Sequence, residues 1–339
     1  MRIGYNPHKD KLQSSSDYFH QVIIPVYIPN SEGYFKDSFT ILKYCLQSLF
    51  KTSHSKTFFT IVNNGCSQEV VQYLNELLQQ SKVQEVIHTE NIGKLNAILK
   101  GLSGHNFKLI TITDADVLFA NDWQQETYKV FDKFPKAGAV SPTPSSKLYN
   151  YYTHNIIFDK FFSKSLRFTK VKNPEAMREF AKSIGNPEFY KPSHLSDYLA
   201  IENQDCRAVI GAGHFVCTYR NDIFKDRNKN HSPYNLGGDS ERLFLDESVV
   251  KKGYWRLSTE DNYAFHMGNS IEPWMNTYLN AIEEQDKKLA FSVDLKNKKS
   301  SKLNNWIAEK LLTKILSKQV VRKYFLRFKG LNKEASHNY

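Results

Sequence analysis

Leu109 to Asp116 reads LITITDAD. Five residues that are β-branched or leucine make a short apolar run, and two aspartates follow it with one small residue between them. The run predicts a buried strand, because continuous apolar stretches of this length suit strands covered on both faces. The aspartates then fall at its carboxyl end. Two carboxylates so spaced can hold a divalent cation, since Mg²⁺ and Mn²⁺ favour hard oxygen ligands and are often shared with substrate phosphates. As plain polypeptide, the same Asp-Ala-Asp is a turn and a cap.

The pattern repeats outward from this stretch. Residues 21–27 (QVIIPVY) and Phe58 to Val62 are further apolar runs, the second closed by Asn63-Asn64-Gly65. Brief strands are expected at 86–87 and 137–141. Helices are expected at 36–50, 67–80, 91–102 and 122–134. Strand and helix alternating at short intervals predict an α/β fold, with a mostly parallel sheet and helices on both faces. In such sheets ligands bind beyond the carboxyl ends of the strands. Asn63, Asn64, Asp114 and Asp116 all fall there.

Residues 1–18 read as a polar lead-in. Residues 19–145 form the α/β half, 146–286 a second half with Tyr, Phe, Lys and Pro lacking clean periodicity at first, and 287–339 a basic tail. The 339-residue chain carries a net charge of +11, and residues 287–339 hold 14 Lys or Arg against three acids, so all the excess charge lies in the tail. The body is therefore not a basic nucleic-acid-binding surface. The tail favours an anionic partner. A basic helix is expected over 301–328, with Leu303, Ile307, Leu311 and Ile315 recurring every four residues among lysines and arginines. That pattern fits a helix lying on an anionic membrane, or one packed on the body with a solvated basic face. The four cysteines form no C-x-x-C pair, which suits a reduced, cytoplasmic protein. The amino terminus has no apolar signal-peptide core, and no apolar run reaches the roughly 20 residues of a spanning helix.

In order along the chain, VIIPVY, VNNGCS, NIGKLNAILKGL, LITITDADVLF, VIGAGHFVCTYRNDIF and SERLFLDESVVKKGYWRL resemble the motifs of GT-A glycosyltransferases of the inverting family 2 type, over residues 20–270. The resemblance implies a Rossmann-like GT-A fold and transfer of a sugar, with inversion, from a UDP- or GDP-linked donor to a glycan or glycolipid hydroxyl. Synthesis of bacterial surface polysaccharide or glycolipid is the expected setting, with the protein peripheral on the inner face of the cytoplasmic membrane.

Residue by residue, the resemblance implies that Pro25 and Tyr27 border the nucleobase and that Asn63 and Asn64 reach base or ribose, where the family usually has an acid. It implies that Lys94, Asn96 and Asp114 face the donor phosphates or sugar. Asp114, Asp116 and His266 would hold Mn²⁺ or Mg²⁺. A carboxylate must take the acceptor's proton, and the family's Glu-Asp pair is missing, so the base stays open among Asp239, Glu241 and Asp246. Two other readings use the same residues: a non-catalytic carbohydrate-binding scaffold on this fold, and a nucleotidyltransferase. The latter usually opens on a Gly-rich phosphate loop after the first strand, and PVYIPNSEGYF is no such loop.

Overall fold

The computed structural model describes residues 4–6, 8–11, 17–225, 231–238, 241–284 and 295–339. Twelve strands occur among them: β1 (His20–Val26), β2 (Thr57–Asn64), β3 (Glu85–Thr89), β4 (Leu109–Thr113), β5 (Val117–Phe119), β6 (Ala137–Ser141), β7 (Leu166–Lys170), β8 (Asp197–Asn203), β9 (Cys206–Ile210), β10 (Val216–Arg220), β11 (Trp255–Thr259) and β12 (Ala264–His266). Ten form one sheet in the order β3-β2-β1-β4-β10-β6-β11-β9-β8-β7, while β5 and β12 pair separately. The first four are parallel. Strand β10 runs antiparallel between β4 and β6 and joins the two halves of the molecule.

Helices α1 (Ser38–Thr52), α2 (Gln68–Gln79), α3 (Lys94–Gly101) and α4 (Trp123–Lys133) follow from the sequence periodicity. Strand β1 shows why both faces of the sheet are covered. Val22, Ile24 and Val26 point into one core with Leu42 and Leu46 of α1. Ile23, one residue out of step, packs in another with Ile98 of α3. Successive side chains on a strand face opposite ways, so a strand with no polar alternation must be sandwiched.

The region 146–205, irregular as sequence, supplies β7 and β8 and so extends the sheet along its antiparallel edge. The tail departs from the single helix expected. It forms Lys302–Ile307, a π-helical turn at Ala308–Leu312, Thr313–Leu316, Gln319–Phe328 and Lys333–Asn338. One side packs on the body: Leu316, Phe325, Leu326, Leu331 and Tyr339 join a core with Tyr149 and Phe168. The Tyr339 hydroxyl donates to the Asp197 carbonyl at 2.8 Å. The other side is open, with Leu303, Trp306, Leu311, Val320, Tyr324 and Phe328 each more than half exposed. Among the described residues no helix is long and apolar enough to cross a membrane.

Candidate active site

Strand β4 ends at Thr113, and the Asp114 amide donates to the Phe215 carbonyl at 2.8 Å, so the loop entering β10 holds the start of the Asp-Ala-Asp turn. Immediately after it the chain enters β5, which pairs antiparallel with β12 and places Val117 opposite His266. That register brings the His266 ring to Asp116, with Nε2 3.4 Å from Oδ2. The ring's Nδ1 lies 2.9 Å from Ser183 Oγ. The two-stranded sheet is thus the device that joins residues 150 positions apart.

Lys94, the first residue of α3, lies between two acids. Its ammonium is 2.6 Å from Asp114 and 2.7 Å from Glu241. Burial alone would lower the lysine's pKa, but the two carboxylates outweigh it and hold the pKa above the ordinary value, so the ammonium stays charged. The position is enforced by backbone. The Lys94 amide donates to the Asn235 carbonyl at 2.8 Å. Gly93 precedes it at φ +88°, where an added Cβ would lie 2.7 Å from the Tyr234 carbonyl oxygen. Only glycine fits so close a crossing.

Asp116 carries a raised pKa, first because of desolvation, with Asp114 adding to the rise and His266 and Lys94 opposing it. Its Oδ1 is buried and accepts no hydrogen bond among the described residues. An orphaned carboxylate oxygen beside an imidazole is a donor set that suits Mn²⁺ or Mg²⁺. Asp116 and His266 therefore fit such an ion, whereas Asp114 is engaged by Lys94. Among the described residues no three His, Cys, Asp or Glu side chains form a ready metal cage.

Other expected contacts are corrected by the structure. Asn63 and Asn64 are only 4% and 3% exposed. The Asn63 carboxamide accepts from the Cys66 amide at 2.8 Å and reaches His88 at 2.9 Å. Asn64 accepts from the Ile92 amide at 2.9 Å and donates to Asn91. Both carboxamides are drawn into holding the turn after β2. Asn96 is likewise occupied, bridging the Ile92 and Ser232 carbonyls and the Ser232 amide at 2.7 to 2.8 Å. It pins the 231–238 loop over α3. Pro25 at the end of β1 is half-buried and Tyr27 is exposed, edge-on to Phe35 at 5.7 Å. These two remain available to a flat ligand.

Among the acids considered as base, Asp239 lies outside the described residues. Glu241 belongs to the Lys94 cluster. Asp246 is fully buried in a π-helical turn, Arg242–Asp246. It is bound by Arg256 at 2.6 Å and by His214 at 3.2 Å. It cannot meet an acceptor directly. Sequence reasoning missed His214 and Arg256. The signal for Arg256 was a charge inside the apolar run Tyr254-Trp255-Arg256-Leu257, since a buried charge demands a partner.

Residues 22–190, close to half the chain, match the model of Glycosyl transferase family 2. Poly-beta-1,6-N-acetyl-D-glucosamine synthase of Staphylococcus epidermidis is 26% identical over 99 residues, 29% of this chain. The match spans about a quarter of that relative's length, 24%. Among solved structures, S. aureus TarS residues 1–349 in complex with UDP-GlcNAc aligns with 94% of this chain and 69% of its own, at 12% identity and a TM-score of 0.45. Mannosyltransferase PcManGT from Pyrobaculum calidifontis, in complex with GDP-Man and Mn²⁺, aligns with 94% and 76%, at 13% identity and a TM-score of 0.44.

Proposed function

We propose that this chain, whose residues 22–190 form a glycosyltransferase family 2 domain on a GT-A-like α/β fold, moves a sugar from a nucleotide diphosphate onto an acceptor hydroxyl with inversion. The observation that carries the proposal is the gathering of Lys94, Asp114, Asp116, Glu241 and His266 beyond the carboxyl end of β4. This is where an open α/β sheet binds its ligand. Tyr27 and Pro25, at the end of neighbouring β1, give a base a surface to lie on.

Asp116 and His266, joined by Asp114 once Lys94 turns from it, would hold Mn²⁺ or Mg²⁺. Such an ion neutralises charge on the departing diphosphate. Lys94 supplies a fixed positive charge on the same side. Direct displacement at the anomeric carbon inverts its configuration, and the leaving electron pair stays on the diphosphate.

The acceptor is a glycan or glycolipid. The open side of the tail, with Trp306, Leu311, Val320 and Phe328 exposed among Lys310, Lys314 and Lys318, suits an anionic membrane surface. Each basic residue held near such a surface adds on the order of 1 kcal/mol. We infer a peripheral position on the inner face of a cytoplasmic membrane, beside lipid-linked acceptors; the exposed apolar and basic side chains of the tail support that reading.

The test is nucleotide release. With Mn²⁺ the purified protein should release UDP from UDP-N-acetylglucosamine or GDP from GDP-mannose, the sugar nucleotides bound by the two solved structures. Asp116→Ala should cut the rate about 100-fold or more, several kcal/mol of lost charge stabilisation. A binder that turns over neither donor, or an Asp116→Ala variant as active as the parent, would refute enzymatic sugar transfer through this site and favour a scaffold.

A further inference from the structure

The donor reading leaves an apolar cavity beside His266 unexplained. It measures about 250 Å³ and is walled by Leu148, Met177, Phe180, Phe189, Phe215 and Phe265. Two histidines interrupt this apolar lining, His266 and His214. His266 belongs to Asp116. His214 belongs to a separate buried chain of charges. Its Nδ1 is 3.2 Å from Asp246, and Asp246 is bound in turn by the Arg256 guanidinium at 2.6 Å. Arg256 is itself only 1% exposed and is fixed by the Tyr151 carbonyl at 2.7 Å and by the Ala212 carbonyl. His214 Nε2 has no partner among the described residues.

We propose that His214 is the group that takes the acceptor's proton, and that Asp246 and Arg256 position it. This rests on the sugar-transfer reading above. Asp246 accepts the Nδ1 proton, which leaves the lone pair on Nε2. A base oriented by a buried carboxylate is the arrangement that lets a neutral imidazole pick up a proton and remain in place as a cation. The competing carboxylates are spoken for: Glu241 by Lys94, Asp246 by Arg256 and His214, and Glu179, which also lines the cavity, by Lys182 at 2.5 Å. As the acceptor oxygen bonds to the anomeric carbon, its O–H electrons form that bond and its proton passes to Nε2. The anomeric C–O bond breaks, and its electron pair leaves on the nucleotide diphosphate. The apolar walls identify the acceptor class. The reacting hydroxyl is attached to, or lies beside, a hydrophobic group that fills the cavity.

The charged groups that bear on His214 are Asp246, Glu241 and Arg256. Desolvation and Arg256 lower its pKa, while Asp246 and Glu241 raise it, and the net shift is upward. A base must be neutral to act, so the rate should rise with pH through a value above 6.5, the ordinary imidazole value.

The experiment uses the whole chain with Mn²⁺, UDP-N-acetylglucosamine or GDP-mannose as donor and water as the acceptor, measuring nucleotide release from pH 5 to 9. His214→Gln should lower the rate about 100-fold or more and abolish the acid limb. Its affinity for UDP or GDP and its unfolding midpoint should stay at the parent values. Asp246→Asn, if folded, should move the acid limb to lower pH, a change that loss of packing would not produce. Should Asp246→Asn not fold, titration of the His214 ring in the parent by NMR gives the same reading, with an elevated value expected and an ordinary or lowered one overturning the proposal. A parent with no turnover of either donor would sink the sugar-transfer reading and this inference with it. An active parent whose His214→Gln variant keeps rate and acid limb would sink this inference alone.

Discussion

Single residues here carry opposite duties that their names do not disclose. Asn63 and Asn64 were legible as polar residues at a strand end, but a strand end needs such residues for its own turn as often as for a ligand. Their hydrogen bonds place them with the turn. Asp246 was legible as a candidate base in an acidic helical stretch. Its full burial became visible only with Arg256, ten residues further along the chain in β11. Arg256→Met should leave that carboxylate buried and unpaired and so cost about 3–5 kcal/mol, measured by urea unfolding. Four other histidines set the acid limit of the fold. His20 is held well below its usual pKa, and His54, His154 and His194 are each pushed down to about 4, burial being the first cause in every case. Below pH 6.5 the unfolded chain takes up protons that the folded one refuses. Stability contributed by these groups is therefore present above 6.5 and lost as pH falls toward 4. The slope approaches about 1.4 kcal/mol per pH unit for each group. Urea unfolding at pH 7.5, 6 and 5 should show the midpoint falling stepwise, and a flat profile would contradict the burial of these rings.

At the scale of elements, the continuous apolar runs were decisive. VIIPVY and LITIT carry no charged residue, and the structure covers β1 and β4 on both faces. The short partner strands β5 and β12 were harder to read, since three residues carry no period. Yet their register determines where His266 falls. The tail was legible as basic and helical, but its packing side was not. Leu316 and Phe325, buried, alternate along it with Ile315 and Tyr324, exposed, and spacing alone assigns neither side. The two sides predict different outcomes. Phe325→Ala should destabilise the fold by about 3–5 kcal/mol. Trp306→Ser with Leu311→Ser should leave unfolding unchanged and reduce co-sedimentation with phosphatidylglycerol vesicles several-fold. Deleting the tail would confuse the two, because it strips a core. Gly93→Ala should loosen the 231–238 loop from α3, read as faster hydrogen exchange there, since the new Cβ meets backbone at 2.7 Å and at a φ of +88°.

Across the whole molecule, the sheet runs unbroken from the 19–145 half to the 146–286 half through β10. Lys94 ties the halves a second time, holding Asp114 from one and Glu241 from the other. Three carboxylates thus share a small volume with one ammonium, and burial first, with Asp114 adding to it, raises the pKa of Asp116. UDP or GDP alone should bind poorly, and Mn²⁺ should tighten the complex at least tenfold, which calorimetry with and without EDTA will measure. The sum is a cleft short of electroneutrality by about two units. A bare pyrophosphate approaching it is repelled by the same acids that would serve it. A divalent cation drawn in by those acids, ahead of the diphosphate or together with it, would turn that repulsion into attraction.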